Sequence, residues 1–166
     1  MDPATFAALA AVCAPLVHAD TARAVVMAES SMNPHAIGVV GGALERQPRG
    51  LGEAVATTVA LRDGGWNFSV GLAQINVRNF ERLGLTAAAA FDPCANLRAM
   101  QTILGECLAG TARATPAQTA LREALSCYYS GNFVTGLRDG YVRRVARNAN
   151  PLVDHASPAT DRKDLR

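Results

Sequence analysis

The chain has 166 residues, of which 49% are hydrophobic and 18% are charged. This length suits one ordinary domain, and the apolar content can offset the entropy cost of ordering the chain, which excludes a disulfide-stapled miniprotein and a largely disordered protein. Sixteen lysines and arginines against fourteen aspartates and glutamates leave a net charge of +2, too little for a general nucleic-acid or anionic-membrane binder, whose affinity comes from many phosphate contacts.

The N-terminal segment from Pro3 to Ala19 carries no formal charge. It is interrupted by prolines and is shorter than the roughly 20 apolar residues that a membrane-spanning helix needs. Asp2 follows the first methionine, so the segment also lacks the basic start of a signal peptide. We therefore expect no membrane span, and the first residues indicate no compartment.

Helical periodicity dominates the chain and predicts a mostly α fold. Asp20 is predicted to be the N-cap of one helix, which ends before Pro34 because a proline disfavours helix in the residue before it. Asp92-Pro93 is a strong helix start, with a cap residue followed by proline in the first turn. The predicted buried faces of four further helices are Leu51, Val55 and Val59; Leu97, Met100, Leu104, Cys107 and Leu108; Leu121, Ala124, Leu125 and Tyr128; and Phe133, Leu137, Tyr141 and Val145.

Strand signals are few. Gly41-Gly42 lies between the apolar pairs Val39-Val40 and Ala43-Leu44, which predicts a tight hairpin turn. The segment from Trp66 to Ala73 is predicted as a loop, and Asn76 as the cap of a short helix. We therefore expect at most a small β-hairpin.

Residues 1–150 are predicted to form one domain. After Asn150-Pro151 the composition becomes polar, so residues 151–166 are predicted to form a mobile tail. We expect that deletion of Leu152 to Arg166 leaves both folding and activity intact. Thermal unfolding and an activity assay of the truncated chain check this prediction, and loss of either would show that the tail packs into the domain.

The four cysteines fit either two disulfides or four buried thiols. Cys94 and Cys107 lie 13 positions apart on one predicted helix, roughly 20 Å at about 1.5 Å per residue, whereas bridged Cα atoms lie within about 7 Å. These two cysteines are therefore not expected to pair. In an oxidising compartment we expect Cys107 to pair with Cys127 on the next predicted helix, and Cys13 with Cys94.

Glu29 extends the apolar face formed by Val25 and Val26 into the last turn of its predicted helix. Burial and the negative end of the helix dipole both disfavour an ionised carboxyl, so both raise its pKa. A raised pKa suits a general acid that works near neutral pH. The alternative is a carboxylate at the rim of the apolar face, ion-paired with an arginine such as Arg23 or Arg78.

Three segments resemble, in order, the signature motifs of lytic transglycosylases with the goose-type lysozyme fold: Glu29-Ser30, Gly71-Leu72-Ala73-Gln74-Ile75-Asn76 and Tyr128-Tyr129-Ser130-Gly131-Asn132. A longer match, which includes Phe91-Asp92-Pro93-Cys94 and Gly140-Tyr141-Val142, is similar to the branch attached to type IV secretion and conjugation systems. The resemblance covers roughly residues 13 to 148. It implies a mostly α, lysozyme-like fold, a periplasmic location, and glycan strands of peptidoglycan and secretion-system subunits as partners.

The chemistry implied by this resemblance is cleavage of the β-1,4 bond between N-acetylmuramic acid and N-acetylglucosamine without water. Glu29 would protonate the leaving oxygen and then accept the proton of the attacking 6-hydroxyl, which gives a 1,6-anhydro sugar and needs no second carboxylate. The resemblance further implies substrate contacts by Ser30, Gly71, Gln74, Asn76, Tyr128 and Asn132.

Four of these contacts have a purely structural alternative, which is a bond back to the backbone for Ser30 and a loop-to-helix contact for Gln74. Tyr128 is expected to direct its hydroxyl at the Glu29 carboxyl, or else to be an ordinary core tyrosine. Gly71 would let the backbone approach the glycan, and Asn76 is either a contact or mainly a helix cap. Tyr129 stands where the commonest family pattern has asparagine, which leaves Asn132 as a possible substitute.

Aromatic residues of the predicted loop offer a further contact, because Trp66 and Phe68 could stack on a sugar, with core packing as the equal alternative for Phe68.

Cysteines and histidines show no metal-ligand spacing, so we predict no cofactor and no metal. The rival functions are a hydrolysing muramidase and a weakly active glycan-binding assembly factor.

Overall fold

The computed structural model describes residues 1–149, where seven α-helices accompany one three-stranded antiparallel sheet. The helices are α1 (Pro3–Cys13), α2 (Ala19–Ser30), α3 (Leu51–Asp63), α4 (Pro93–Ala109), α5 (Ala117–Ser130), α6 (Thr135–Arg138) and α7 (Tyr141–Ala149). The strands are β1 (Ile37–Val39), β2 (Phe68–Val70) and β3 (Ile75–Asn76), and 3-10 turns cover Val77–Asn79 and Ala89–Phe91. The mostly α class is thus confirmed, whereas the predicted tail lies outside the described residues.

Side-chain caps explain where several helices begin. The Asp92 carboxylate accepts a hydrogen bond from the Ala95 amide at 2.8 Å, which confirms the predicted start of α4. Helix α2 begins two residues earlier than predicted, because its cap is His18 and Asp20 lies in the first turn. Helix α1 was missed by the sequence analysis, although Asp2-Pro3 repeats the pattern of Asp92-Pro93 and Asp2 caps it.

The sheet differs from the predicted hairpin. Strand β1 pairs with β2, so that Ile37 lies opposite Val70 and Val39 opposite Phe68, and β2 pairs with β3. The predicted hairpin around Gly41-Gly42 is therefore wrong, and so is the assignment of the segment after Trp66 to a loop. The alternation of buried Phe68, half-buried Ser69 and buried Val70 is the period of two that marks a short strand.

Three predicted buried faces require correction. Helix α3 buries Ala54 and Thr58, whereas Leu51 is 49% exposed. Both sets of residues follow a spacing of four, so the periodicity could not distinguish between them. On α4, Leu108 at the end of the predicted face is exposed, and so is Leu137 of the last predicted helix.

The last predicted helix is two helices, α6 and α7, separated at Asp139-Gly140. Gly140 has φ +78°, a left-handed conformation that interrupts the helix and that glycine adopts at low cost. Helix α7 then packs along α2, with Tyr141 and Val145 buried. The break therefore sets the direction in which Tyr141 enters the core beside the end of α2.

Two disulfides connect the helices in the predicted pairs. Cys13 and Cys94 join α1 to the start of α4 with Cα atoms 5.2 Å apart, and Cys107 and Cys127 join α4 to α5 with Cα atoms 5.7 Å apart. Both predicted pairings are confirmed. Helix α5 is thereby tied to the helix that it packs against.

Replacing Cys13 and Cys94 by alanine should destabilise the fold more than replacing Cys107 and Cys127 does. The first bond closes a separation of 81 residues and the second one of 20, so loop-closure entropy predicts a difference of about 1 kcal/mol between double variants that each lose about 3–5 kcal/mol. Urea unfolding of the two double variants measures the difference. A reversed order would contradict the loop-entropy explanation.

Candidate active site

A groove of about 780 Å³ opens where the sheet faces α4 and the end of α5. Glu29 reaches it from the last turn of α2. Other lining residues include Val39, Ser69, Gln74 and Asn76 from the sheet and its connections, Arg78 and Arg82 after it, Glu106 and Cys107 of α4, and Cys127, Tyr128 and Tyr129 of α5. The three segments singled out in the sequence thus each contribute to one groove.

Glu29 is half-buried and its carboxyl is held by a tyrosine. The Tyr141 hydroxyl donates a hydrogen bond to Glu29 Oε1 at 2.6 Å. Burial raises the pKa of the carboxyl to about 7, while the hydrogen bond from Tyr141 and the nearby positive charge of Arg144 act in the lowering direction. The carboxyl is therefore poised to give and take a proton near neutral pH, as the sequence predicted.

The alternative of an ion pair at Glu29 does not hold in residues 1–149. Neither Arg23 nor Arg78 is paired with this carboxyl, and Arg23 instead donates to the Asn148 carbonyl at 2.6 Å. Arg144 lowers the pKa of Glu29 through its charge without forming a salt bridge to it. Burial consequently remains the dominant influence on the carboxyl.

The tyrosine that orients Glu29 is not the predicted one. Tyr128 donates its hydroxyl to the Ala73 carbonyl at 2.6 Å, and Tyr141, fully buried at the start of α7, takes the expected role. Tyr128 still lines the groove, and its hydroxyl connects α5 to the central motif. The signal for Tyr141 was present in the Gly140-Tyr141-Val142 segment, but the sequence did not show which helix would face Glu29.

Changing Tyr141 to phenylalanine should raise the pKa of Glu29, because the lost hydrogen bond stabilised the ionised carboxylate. We expect the alkaline limb of the rate profile to move to higher pH and the maximal rate to fall roughly tenfold, in line with a lost hydrogen bond to a charged group. Rates of glycan cleavage measured across pH check this. Tyr128→Phe is the control, since its hydroxyl bonds a carbonyl instead, and an equal shift in that variant would contradict the assignment.

A buried asparagine that the sequence analysis missed holds the central motif. Asn96 of α4 is fully buried, and its Oδ1 accepts from the Ala73 amide at 2.8 Å. Its Nδ2 donates to the carbonyls of Val70 at 3.0 Å and Ala90 at 2.7 Å. One carboxamide therefore fixes the path of the chain on both sides of Gly71.

The contact with Asn96 gives a structural reason for Gly71. Gly71 is buried with φ +79°, and a Cβ at this position would collide with the Asn96 carboxamide and lie 2.9 Å from the Ala90 carbonyl oxygen. Gly71 therefore has a structural role, and its contact with the glycan stays a prediction. Because Gly71 has no side chain, there is room for the Asn96 carboxamide, whose hydrogen bonds hold the loop.

Gln74 keeps an open acceptor in the groove. Its Nε2 donates to the carbonyls of Ala36 at 3.1 Å and Gly71 at 3.0 Å, which uses both amide hydrogens. Its backbone has φ +50°, a strained conformation for a residue with a side chain. A Cβ on Gly38 would lie 2.7 Å from Gln74 Oε1, so the strand opposite leaves room for this oxygen. Gln74 remains a candidate for accepting a hydrogen bond from a sugar.

Ser30 and Asn132 are engaged with the backbone. Ser30 Oγ donates to the Leu72 carbonyl at 2.7 Å and therefore connects the end of α2 to the central motif. Asn132 Oδ1 accepts from the amides of Val134 and Thr135 at 3.0 and 2.8 Å. Neither side chain lines the groove, so the geometry adds no support to these two substrate contacts, which stay predictions.

Asn76 lines the groove but its side chain is also committed. Its Oδ1 accepts from the Arg78 amide at 3.1 Å, which confirms the predicted cap, and its Nδ2 donates to Asn67 Oδ1 at 2.9 Å.

The two aromatic residues singled out in the sequence lie outside the groove lining. Phe68 is fully buried and is a core residue, and Trp66 is half-exposed but does not line the groove. The predicted stacking role of these two aromatics is therefore not supported.

The described lining of the groove includes one carboxylate besides Glu29. This is Glu106, which is ion-paired with Arg82 at 2.9 Å. Nowhere in residues 1–149 do three or more histidine, cysteine, aspartate or glutamate side chains gather as a metal site. The helices of this part of the chain are also too short or too polar to cross a membrane.

Comparison with known proteins gives a family match over most of the chain. The transglycosylase SLT domain matches residues 6–148. The type IV secretion system protein virB1 of Brucella abortus is 47% identical over 152 residues, and protein virB1 of Agrobacterium fabrum is 38% identical over 157 residues. These matches cover 87% and 91% of this chain but 64% and 62% of the two relatives, so the chain spans less than two thirds of their length. No solved structure gives a significant match.

Proposed function

Because the chain belongs to the transglycosylase SLT family, we propose that it is a peptidoglycan lytic transglycosylase that cleaves the β-1,4 bond between N-acetylmuramic acid and N-acetylglucosamine. Family membership confirms the lysozyme-like fold that the sequence predicted. The two relatives carry the name virB1, and one is named a type IV secretion system protein. We further propose that this chain acts on the periplasmic cell wall and opens it for such an apparatus, with secretion-system subunits as partners.

The observation that carries the catalytic proposal is the setting of Glu29. Its carboxyl lies in the groove, accepts a 2.6 Å hydrogen bond from Tyr141, and has a pKa raised to about 7 by burial. A carboxyl with such a pKa is protonated in an appreciable fraction of molecules at neutral pH, and its ionised form is still a competent base.

The proposed reaction uses this one carboxyl twice. Protonated Glu29 gives its proton to the glycosidic oxygen, the bond from the muramoyl C1 to that oxygen breaks, and N-acetylglucosamine leaves with a new hydroxyl. The 6-hydroxyl of the muramoyl sugar then attacks C1, and its proton returns to Glu29. The enzyme is regenerated, no water is consumed, and the product is a 1,6-anhydro sugar.

This single-acid scheme agrees with the other carboxylate of the groove. Glu106 is ion-paired with Arg82 at 2.9 Å, and the single-acid scheme gives it no part in the reaction. The sugar's own acetamido group can stabilise positive charge at C1 in substrate-assisted glycosidases. Gln74 Oε1 is the proposed acceptor for a sugar hydroxyl or amide in the groove.

The test is the mass of the sugars released from purified sacculi. We expect fragments whose muramoyl ends are lighter by one water than those released by a hydrolysing muramidase. Sacculi incubated without protein serve as the control. Fragments with ordinary reducing ends would contradict the proposal and identify a muramidase, and binding of sacculi without any release would identify a glycan-binding assembly factor.

A further inference from the structure

Tyr129 is an exposed aromatic residue in the groove that the proposed reaction does not use. Its side chain lines the groove and is 45% exposed. Its ring is stacked on Tyr141, with ring centroids 4.6 Å apart and an interplanar angle of 15°. An aromatic ring of this size that remains half-exposed beside a polar cleft is available for contact with a ligand.

The stacking on Tyr141 determines which surface of the Tyr129 ring is exposed. Because Tyr141 covers one face at stacking distance, the exposed surface belongs to the opposite face and the ring edge. The neighbouring Tyr128 presents no comparable surface, since it is half-buried and its hydroxyl is bonded to Ala73. Tyr129 is thus held flat, with one face open.

The position of this face relative to Glu29 is fixed by one intermediate residue. Tyr141 contacts the Tyr129 ring on one side and donates its hydroxyl to the Glu29 carboxyl. The buried side chain of Tyr141 therefore lies between the Tyr129 ring and the Glu29 carboxyl. A ligand on this face would be held at a constant offset from the proton donor.

We propose that Tyr129 is a stacking platform for a pyranose ring of an N-acetylhexosamine chain, in the sugar position beside the bond that Glu29 cleaves. The inference rests on the proposed function for the identity of the glycan. Pyranoses with equatorial substituents present a face of C–H bonds, which pack on the negative face of an aromatic ring. Stacking on Tyr129 orients the sugar, and the contact of Tyr129 with Tyr141 couples that sugar to the residue that holds the acid.

The experiment measures glycan binding without turnover. The Glu29→Gln protein is titrated with a soluble tetrasaccharide of alternating N-acetylglucosamine and N-acetylmuramic acid by calorimetry. Adding Tyr129→Leu should weaken binding roughly tenfold, whereas adding Tyr129→Phe should change it less than about twofold, because the phenyl ring keeps the face. In parallel, the ring-proton signals of Tyr129, one of three tyrosines, should shift on titration.

Trp66→Leu is the matched control, since Trp66 is similarly exposed but lies outside the groove lining. It should leave the affinity unchanged. Equal binding by the Tyr129→Leu and parent proteins would overturn the platform, and so would loss caused by Trp66→Leu instead. If Tyr129→Phe binds as poorly as Tyr129→Leu, the hydroxyl and not the ring face makes the contact, which also overturns it.

Failure of the platform can be distinguished from failure of the proposed function. Anhydro sugars released by the otherwise unchanged protein, together with binding that does not depend on Tyr129, contradict only the platform. Binding that depends on Tyr129, together with hydrolytic products, contradicts only the transglycosylase reaction. A Glu29→Gln protein that does not bind the tetrasaccharide, together with no release of anhydro sugars by the unchanged protein, contradicts both.

Discussion

The Glu29→Gln protein is expected to release anhydro sugars from sacculi about a thousandfold more slowly than the unchanged protein, or slower still. Glutamine keeps the size of the side chain and can still accept a hydrogen bond from Tyr141, but it has no proton to transfer, so both halves of the reaction are lost. Mass spectrometry of the released fragments over time measures the rate. Release at the unchanged rate would show that Glu29 is not the acid.

The pH dependence of the same reaction follows from the carboxyl. The acid must be protonated for the first step, so the rate should fall as pH rises through the pKa of about 7. A rate that stays level well above pH 7 would contradict the assignment of Glu29 as the acid.

The Glu29→Gln substitution should also change how the free energy of unfolding depends on pH, which distinguishes a lost catalytic group from a misfolded protein. Burial raises the pKa of Glu29 from 4.5 to about 7, so the folded state holds the proton more tightly than the unfolded state does. The free energy of unfolding should therefore decrease as pH rises from about 4.5 to 7, by about 3 kcal/mol, and then level off. Glutamine removes this decrease, so urea unfolding should find the Glu29→Gln protein more stable than the unchanged one above pH 7. Equal stability at pH 5 and pH 8 in the unchanged protein would contradict the buried acid.

Replacing Asn96 by alanine should cost about 3–5 kcal/mol of stability. The change removes three hydrogen bonds at a fully buried position, and it leaves the backbone groups of Val70, Ala73 and Ala90 without those partners. Urea unfolding measures the loss. Thr102→Ala is the control on the same helix, because Thr102 is exposed and bonds only its own helix, and it should change stability by less than about 0.5 kcal/mol. An Asn96→Ala protein as stable as this control would contradict the role of the carboxamide.

The sequence predicted what depends on local chemistry. Asp92-Pro93 placed the start of α4, and the spacing of Glu29 from Val25 and Val26 placed a carboxyl at the apolar end of α2. Helix length also excluded a bond between Cys94 and Cys107, and the choice of Cys107 with Cys127 followed from their places on consecutive predicted helices. These predictions required only the period of a helix and its capping rules.

The errors arise where tertiary packing decides. Tyr128 and Tyr141 both lie on predicted apolar helix faces, and which of them meets Glu29 depends on the break at Gly140 and on how α7 packs along α2. The period of four did not show which set of residues α3 buries. Asn96 has no periodic signal, since a single buried carboxamide within a helix is identified only by the backbone groups around it.

The contact between Gly71 and Asn96 also constrains how the sequence can change. A side chain added first at position 71 would collide with the carboxamide and occupy a left-handed backbone conformation. If the Asn96 carboxamide is lost first, three buried backbone groups lose their hydrogen-bond partner. Each single step lowers stability before a second step can compensate, so drift at these two positions is blocked in either order. Two residues 25 positions apart in the chain are therefore expected to be retained or replaced together.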